Sequence, residues 1–259
     1  MRYSRDFYID RANEIIDACD SGFYILGNKK IPLNAEEGTY YRPDYELNIP
    51  EKITDIKSQN IHLIDAYVTD VVFNESYHNK GKTIGVLNFA SAHHPGGGFE
   101  RGAMAQEEAI CQSSTLFVQL ENNEMYKYNE SCKNSLYNDG MIVSSTRFIR
   151  DSKFNFVANP VNAIVVTSPA VNLTALKDKT NSYEVMRVRM EKILKQFINY
   201  KCNIIILGAF GCGVFGNDPK IIAEIWRDLL VKYGAYFDKV DFAIPSGNNN
   251  YNQFNVIFN

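Results

Sequence analysis

The sequence predicts an α/β protein in which helices cover both faces of a largely parallel β-sheet, with a helical extension at the N-terminus. Residues 201–245 show a buried strand, a glycine-rich turn, an amphipathic helix and another strand, which is the order of a βαβ unit. The segment "NAIVVTSPAV" is apolar enough for a strand that is buried on both faces. From about residue 61 onward, short β-branched and apolar runs alternate with helical patterns.

Residues 1–60 are predicted to be an elaboration packed on a single domain that spans residues 1–259. Residues 5–20 place apolar side chains at helical spacing, and Gly22 follows as a stop signal. The segment "FYILGNKKIPL" predicts a β-hairpin, because a Gly-Asn pair separates two apolar runs. Residues 35–60 are polar and show little periodicity, so we expect an irregular connection there.

The rest of the chain predicts further strands and three long helices. The predicted strands are "IHLIDAYVTD", "TIGVLNFASA", "MIVSSTRFI", "NAIVVTSPAV", "KCNIIILGAF" and "KVDFAIP". The predicted helices run from Gln106 to about Leu120, over residues 182–199, and from Pro219 to Gly234 with Asn217 or Asp218 as the N-terminal cap. Methionines line the apolar stripe of the second helix, and we interpret them as core residues.

The composition indicates a soluble globular protein, and we expect it in the cytoplasm. It is 45% hydrophobic with a formal net charge of −3, so nothing favours direct nucleic-acid binding or a membrane partner. The first residues do not resemble a signal peptide, and no apolar stretch is long enough to span a bilayer. We expect free thiols, no metal site and no cofactor, because the cysteines are scattered without metal-ligand spacing: Cys19, Cys111, Cys132, Cys202 and Cys212.

The stretch "HHPGGGFERGAMAQEEA", residues 93–109, combines three consecutive glycines with a Gln-Glu-Glu triplet. It follows a predicted strand, so Gly96–Gly98 are expected beyond the carboxyl end of the sheet, where ligands bind in α/β proteins. Glycine backbone also allows a ligand to approach closely. Glu107 and Glu108 begin the next helix and point about 100° apart, so at most one of them faces a given bond. A solvated first helical turn is the alternative interpretation of this pair.

A second glycine-rich stretch, "GAFGCGVFGND" at residues 208–218, lies between a predicted strand and a predicted helix. Exposed main-chain N–H groups and the helix dipole make such a turn suited to phosphates. The stretch lacks the lysine of a P-loop and the spacing of the Rossmann fingerprint, and an ordinary strand-to-helix turn is the alternative. Four glycines in one turn favour the phosphate site. Phe215 either fills the core or packs on a ligand.

Both stretches resemble one known family. The glycine triplet followed after seven residues by Gln-Glu-Glu is similar to the signature of poly(ADP-ribose) glycohydrolases. The flanks "VLNFASAHHPGGGFERGAMAQEEAICQSSTLF" and "LGAFGCGVFGNDP" resemble the bacterial-type branch, and "MIVSSTRFIRD" and "VDFAIP" extend the resemblance over most of the chain. The resemblance implies a macrodomain-like fold, a three-layer α/β/α sandwich with a mixed, largely parallel central sheet and ADP-ribose lying across the strand ends.

The resemblance also implies roles for individual residues. Glu108 corresponds to the catalytic glutamate, and Glu107 corresponds to the acid that holds the ribose next to the scissile bond. The glycine triplet would line the diphosphate and the distal ribose, and Phe215 would pack on that ribose. The implied substrate-binding residues are Gly96, Gly97, Gly98, Gln106, Asn88, Gly211, Gly213, Val214, Phe215 and Gly216. His94 stands where members of the family often carry asparagine, and we expect it to be a loop side chain rather than a catalytic base.

The implied reaction is hydrolysis of ribose–ribose O-glycosidic bonds, which releases ADP-ribose. Its oxocarbenium-like transition state needs a carboxylic acid to protonate the leaving oxygen and then, as a carboxylate, to deprotonate a water. Adjacent glutamates cannot reproduce the two separated carboxylates of most glycosidases. Glu108 would therefore act first as acid and then as base, while the substrate's own phosphate stabilises positive charge on the sugar.

Three alternatives stay open on the sequence alone. They are a non-catalytic ADP-ribose reader, a hydrolase of mono-ADP-ribosylated protein or small ADP-ribose derivatives, and a phosphate-loop protein of other specificity. The intact Gln-Glu-Glu triplet favours an enzyme, because a reader needs no acid. The loops do not separate chain cleavage from single-unit cleavage, so the expected partner is poly(ADP-ribose) or an ADP-ribosylated protein.

Overall fold

The computed structural model describes residues 3–259 and contains a seven-stranded sheet and a separate two-stranded hairpin. The strands are β1 (Phe23–Leu26), β2 (Lys29–Pro32), β3 (Thr39–Tyr41), β4 (Ile61–Ile64), β5 (Ile84–Ala90), β6 (Met141–Arg150), β7 (Phe156–Pro169), β8 (Ile204–Leu207) and β9 (Lys239–Ala243). The α-helices are α1 (Arg5–Ser21), α2 (Val68–His78), α3 (Gln106–Ser113), α4 (Leu116–Leu120), α5 (Glu124–Ser131), α6 (Ser182–Asn199), α7 (Pro219–Tyr233) and α8 (Asn249–Phe258).

The large sheet has the strand order β3-β6-β7-β5-β8-β9-β4. The pairs β7–β5, β5–β8, β8–β9 and β9–β4 are parallel, whereas β3–β6 and β6–β7 are antiparallel. The predicted mixed, largely parallel sheet is therefore confirmed. The crossovers between parallel strands are made by helices, as parallel pairing requires.

The sheet separates two apolar cores. Successive residues of β5, Val86 and Leu87, belong to different cores, and so do Val165 and Val166 of β7. Helices α6, α7 and α8 supply one core, and helices α1 to α5 supply the other. Because successive strand side chains point to opposite faces, the apolar strands are covered on both sides and form the middle of three layers.

The predicted N-terminal helix and hairpin are confirmed. Helix α1 ends before Gly22, whose φ of 71° lies in the left-handed region that glycine tolerates. Strands β1 and β2 pair antiparallel across the predicted turn. Arg5 on α1 donates a 2.8 Å hydrogen bond from Nε to the carbonyl of Arg101, so the N-terminal extension supports the segment that precedes α3.

Helices α6 and α7 also lie where the sequence predicts them. The carboxylate of Asp218 caps α7 by accepting a 2.8 Å hydrogen bond from the N–H of Lys220, whereas Asn217 has another role. None of the helices within residues 3–259 combines the length and the apolar character needed to cross a membrane.

The prediction of one continuous helix from Gln106 to Leu120 is wrong. Helix α3 ends at Ser113, and Ser114 is extended, with φ −148° and ψ 177°. Ser114 forms an isolated antiparallel bridge with Phe148 of β6, and α4 begins two residues later. The contact with the sheet outweighs the local helical pattern at this position.

Other elements differ from the sequence prediction. The run "IHLIDAYVTD" ends as a strand at Ile64, and its last residues begin α2. The region expected to be irregular contributes β3, a three-residue strand that is held by antiparallel pairing with β6. Helices α2, α5 and α8 were not predicted. Short elements of this kind gain their stability from tertiary contacts more than from local propensity.

Candidate active site

Two glycine loops meet at one edge of the sheet, because β5 and β8 run parallel and end there. The first glycine loop, residues 91–105, follows β5 and leads into α3, while the second glycine loop, residues 208–218, follows β8 and leads into α7. Ser91 of the first loop and Phe215 of the second loop line a common cavity of about 310 Å³. The structure thus brings together the two motifs that the sequence singled out.

Two main-chain N–H groups of the first loop hold the carboxyl group of Glu108. Its Oε1 accepts a 2.9 Å hydrogen bond from the N–H of Gly98, and its Oε2 accepts a 2.8 Å hydrogen bond from the N–H of Ala105. The residue is 8% exposed. The position of this carboxyl group is therefore set by the path of the backbone.

Glu107 is buried more deeply, with 4% of its surface exposed. Its Oε2 accepts a 2.7 Å hydrogen bond from the N–H of Ser91, and its Oε1 accepts one of 3.3 Å from Nδ2 of Asn88. Burial raises the pKa of Glu107 to about 8, and the charge of Glu108 adds to the rise. Hydrogen bonds from Ser91, Asn88 and Gly96 act in the opposite direction. At neutral pH, Glu107 is therefore mostly protonated.

The glycine triplet allows the first loop to close on these two carboxyl groups. Gly97 has φ +62°, and a Cβ on it would lie 2.5 Å from Oε1 of Glu108 and 3.0 Å from Oε2 of Glu107. A Cβ on Gly96, which has φ +63°, would lie 2.8 Å from the ring of Phe117. Glycine is required here both for the backbone conformation and for the close approach of the glutamates.

The N–H groups of all three glycines are engaged within the protein. The N–H of Gly98 binds Glu108, that of Gly97 binds the carbonyl of His94 at 2.9 Å, and that of Gly96 binds Glu107. A ligand can approach these glycines closely, but their amides already have acceptors. His94 is exposed, and within residues 3–259 no group of three or more His, Cys, Asp or Glu side chains is arranged to hold a metal ion.

Asn88 positions Glu107 from within the sheet. It is fully buried on β5, and its Nδ2 donates both to Glu107 and, at 3.2 Å, to Oγ1 of Thr167 on β7. Its Oδ1 has no hydrogen-bond partner in the described chain. The resemblance implies a ribose contact for this residue, and the structure places it beside the acid pair.

Gln106 is bound to the main chain of β5. Its Oε1 accepts a 2.9 Å hydrogen bond from the N–H of Phe89, and its Nε2 donates one of 2.7 Å to the carbonyl of Leu87. The pairing of β5 with β8 ends at Val86, so the Gln106 side chain continues the ladder. Both ends of its amide are occupied, and this contact fixes the start of α3, which carries the glutamates.

Asn217 fixes the second glycine loop. Its Nδ2 donates to the carbonyls of Val171 at 2.8 Å and Gly211 at 3.0 Å, and the residue is 3% exposed. Gly211 has φ +74°, and a Cβ there would lie 2.6 Å from Nδ2 of Asn217. The sequence suggested Asn217 only as a helix cap. Its true role depends on the chain returning to the segment after β7, which no local pattern reveals.

The middle of the second loop presents free main-chain donors. The N–H groups of Gly213, Val214 and Phe215 make no hydrogen bond to any described residue. Val214 is 83% exposed, and nothing lies within 4 Å of a Cβ on Gly213. Gly216 ends the turn with φ +70°. Consecutive free N–H groups next to a helix N-terminus favour an anion.

Comparisons with known proteins agree with this geometry. The family model described as microbial-type PARG, catalytic domain, matches residues 12–151. The chain is similar to the poly(ADP-ribose) glycohydrolase (PARG) of Thermomonospora curvata bound to the inhibitor ADP-HPD, with 27% identity, a TM-score of 0.85, and coverage of 97% of this chain and 99% of that one. It is also similar to the enzyme of Deinococcus radiodurans in complex with ADP-ribose, with 29% identity, a TM-score of 0.71, and coverage of 77% and 84%. Among curated proteins no match is found.

The match to the family model includes the whole first glycine loop and both glutamates, and it extends over more than half of the chain. The likeness to the Thermomonospora curvata structure covers nearly all of the fold and confirms the macrodomain-like architecture. The chain therefore belongs to the family of microbial-type poly(ADP-ribose) glycohydrolase catalytic domains and is an enzyme of the glycosidase class.

Proposed function

We propose that the protein hydrolyses the ribose–ribose O-glycosidic bonds of poly(ADP-ribose) and releases ADP-ribose, with Glu108 as general acid and base. The observation that carries the proposal is the position of the Glu108 carboxyl group, which two main-chain donors hold beside the carboxyl group of Glu107. Family membership supports the reaction class, and this geometry supports the role proposed for Glu108.

Glu108 supplies the proton in the first step and removes one in the second. Its carboxylic acid protonates the ribose oxygen that leaves, while the bond from this oxygen to the anomeric carbon breaks. The resulting carboxylate then takes a proton from a water molecule whose oxygen bonds to the anomeric carbon, which restores the acid. A single carboxyl group is sufficient for both steps because they occur one after the other.

Glu107 assists by being neutral. A protonated Glu107 can donate a hydrogen bond to a ribose hydroxyl, whereas an ionised carboxylate can only accept one. Burial is the main cause of its raised pKa, so this property belongs to the folded site and not to the residue type.

The second glycine loop binds the diphosphate in this proposal. Its three consecutive free N–H groups, on Gly213, Val214 and Phe215, provide donors that the first loop has already committed to its own glutamates. Phe215 lines the shared cavity, and in this proposal its ring packs on the distal ribose. Phosphate held near the anomeric carbon also stabilises the positive charge that develops there.

Assay of the parent protein and of Glu108→Gln tests the proposal. With purified poly(ADP-ribose) as substrate, we expect the parent to release ADP-ribose and the variant to be slower by at least about 100-fold, because general acid–base catalysis is lost. ADP-ribose binding, measured by isothermal titration calorimetry, should persist in the variant. Glu100→Gln, at an exposed glutamate within the first glycine loop, is the matched control and should retain activity.

Two other outcomes would change the assignment. Binding of ADP-ribose by the parent without turnover of any substrate would indicate a reader. Release from a protein carrying single ADP-ribose groups, with no release from the polymer, would indicate a mono-ADP-ribose hydrolase. Glu108→Gln activity equal to that of the parent would refute the catalytic role of Glu108.

The cellular setting is also part of the proposal. All five cysteines are free thiols, which is typical of a reducing compartment such as the cytoplasm. The net charge of −3 supports an ADP-ribose substrate that is gripped locally, without direct nucleic-acid binding. We further propose that residues 1–259 form one domain, because α1 contributes to the same core as α3.

A further inference from the structure

Helix α1 takes no part in the mechanism above, yet it contacts the part of the first glycine loop that holds Glu108. The two N–H groups that bind the Glu108 carboxyl group belong to Gly98 and Ala105. These residues are the ends of one stretch of the loop, residues 98–105, which we call the 98–105 segment. A contact that moves this segment therefore moves the donors that hold Glu108.

The 98–105 segment is closed on itself. The carbonyl of Gly98 accepts hydrogen bonds from the N–H groups of Arg101 at 3.0 Å and Ala103 at 3.1 Å. A Cβ on Gly98 would lie 2.6 Å from Cβ of Ala103, so the two strands of the segment are in close contact. Because its first residue is bound to its middle, we expect a displacement at Arg101 or Gly102 to reach Gly98.

Helix α1 packs on the middle of this segment, at Arg101 and Gly102. Nε of Arg5 donates a 2.8 Å hydrogen bond to the carbonyl of Arg101. Gly102 has φ +71°, and a Cβ on it would lie 2.6 Å from the carbonyl oxygen of Arg5 and 3.2 Å from Cγ1 of Ile9. The main chain of α1 thus lies directly against Gly102, where only glycine fits.

The same helix is bound to α3, which carries Glu108. Gln112 lies four residues after Glu108, about one helical turn further along α3. It is fully buried, and its Nε2 donates a 2.8 Å hydrogen bond to the carbonyl of Tyr8 on α1. Helix α1 therefore contacts both the helix that carries the carboxyl group and the segment that supplies its two donors.

The second glycine loop is fixed by other parts of the chain. The carbonyl of Phe215 accepts a 2.9 Å hydrogen bond from the N–H of Leu173, and the side chain of Asn217 binds the carbonyls of Val171 and Gly211. These partners belong to the segment after β7 and to the loop itself. A change at α1 should therefore leave the groups proposed to bind the diphosphate in place.

We propose that Arg5 and Gly102 are positioning residues for Glu108, because they set α1 against the 98–105 segment and so hold the carboxyl group in place for proton transfer. This inference rests on the proposed function and deepens it, since it makes the N-terminal helix part of the catalytic apparatus. Helix α1 touches neither the substrate nor the reacting atoms. Its contribution is to kcat, whereas ADP-ribose binding depends on the second loop.

Gly102→Ala tests the contact between α1 and the segment. The new Cβ meets the main chain of α1, so the helix and the segment must separate. With purified poly(ADP-ribose), we expect kcat to fall about tenfold, because small displacements of a catalytic group are costly. The Kd for ADP-ribose, measured by isothermal titration calorimetry, should stay within about twofold of the parent value. Gly81→Ala is the matched control, since Gly81 has φ +83° and nothing within 4 Å of a Cβ.

Arg5→Leu and Arg5→Gln provide a second measurement at an exposed position. Glutamine carries Nε2 at the same place along the side chain as arginine carries Nε, so Arg5→Gln keeps the donor to Arg101 and loses only the charge. We expect Arg5→Leu to lower kcat about threefold, as the loss of one hydrogen bond does, and Arg5→Gln to retain the parent value. The Tm of both variants should stay within about 2 °C of the parent, which separates positioning from folding.

The outcomes distinguish the inference from the proposed function. Equal kcat values for Gly102→Ala and Gly81→Ala, or for Arg5→Leu and Arg5→Gln, would overturn the inference and leave the glycohydrolase activity intact. A rise in Kd as large as the fall in kcat would also overturn it, because α1 would then support the whole site. If Gly102→Ala does not fold, the two Arg5 variants decide. Absence of turnover by the parent would refute the proposed function and, with it, this inference.

Discussion

The two glycine loops have similar composition but use their backbone in opposite ways. In the first loop, the N–H groups of Gly96 and Gly98 are bound to the carboxyl groups of the following helix. In the second loop, the N–H groups of Gly213, Val214 and Phe215 are free. The first loop therefore positions acids that belong to the protein, whereas the second loop presents unpaired main-chain donors, which is the arrangement that our proposal assigns to the diphosphate.

The difference comes from what each loop packs against. The residue after the first loop begins a helix whose first turn carries two glutamates, and these reach back to the loop. The second loop leads into α7 through Asn217. The side-chain NH2 group of Asn217 donates to main-chain carbonyl groups, and the N–H groups in the middle of the loop stay unpaired. A carboxylate accepts hydrogen bonds from N–H groups, whereas the NH2 group of a side-chain amide donates hydrogen bonds to carbonyl oxygens. Glycine content alone does not reveal which group a loop will bind.

The largest effect on activity is expected for Gly97→Ala, which tests whether the first loop must close on the two glutamates. The new Cβ would lie 2.5 Å from Oε1 of Glu108, so both carboxyl groups must move. We expect polymer turnover to fall by about 100-fold, because displacement of a catalytic group by about 1 Å has an effect of that size. Gly27→Ala is the matched control: Gly27 has φ +59° and nothing within 4 Å of a Cβ, so it adds the same backbone strain without the clash. Equal activity in both variants would contradict this account of the first loop.

Glu107→Gln tests, through the pH dependence of protein stability, whether the first loop holds a protonated carboxyl group. The pKa of Glu107 is raised in the folded state to about 8, so the folded protein binds a proton that the unfolded chain releases. The stabilisation is complete below pH 4.5 and is lost as pH rises towards 8. Between pH 5 and pH 8, we expect the parent to lose about 1 kcal/mol or more, or about 3 °C in Tm, relative to Glu107→Gln.

Thermal melts of both proteins across this pH range provide the measurement. Glu100→Gln, at an exposed glutamate, should follow the parent. Asp241 is also buried, and burial raises its pKa to about 6, so both proteins retain a part of the pH dependence. Parallel curves for the parent and Glu107→Gln would show that Glu107 is ionised in the folded protein.

The smallest effect is expected for Gly213→Ala in the second loop. A Cβ on Gly213 meets nothing within 4 Å, so the free energy of unfolding should change by less than about 0.5 kcal/mol. Chemical denaturation of the parent and the variant provides the measurement. A destabilisation well above this value would mean that the second loop is packed as closely as the first, which would remove the contrast between them.

The sequence predicted the long elements better than the short ones. Helices α6 and α7 carry strong apolar stripes and clear end signals, and both lie where they were predicted. The break between α3 and α4 was missed, because Ser114 leaves the helix to bridge Phe148, which is distant in sequence. Strand β3 was missed for the same reason, since its three residues depend on pairing with β6.

Much of the candidate site was predicted, but not how its parts interact. The sequence pointed to both loops, to both glutamates and to Phe215, and the structure brings Ser91 and Phe215 to one cavity. It did not reveal that Gln106 binds β5, that Asn217 fixes the second loop, or that the segment after α5 borders the cavity. Each of these contacts joins residues whose proximity depends on the order of strands in the sheet.

The amino-acid sequence by itself determined the α/β class and the two glycine loops, because these depend on local periodicity and on residue type, and it pointed to Glu107 and Glu108 as candidate acids. The tertiary structure alone decided that Glu107 is buried and protonated, that the N–H groups of the first loop are bound and that those of the second are free. The physical reason is that pKa values and unpaired hydrogen-bond donors depend on which distant groups the fold brings into contact.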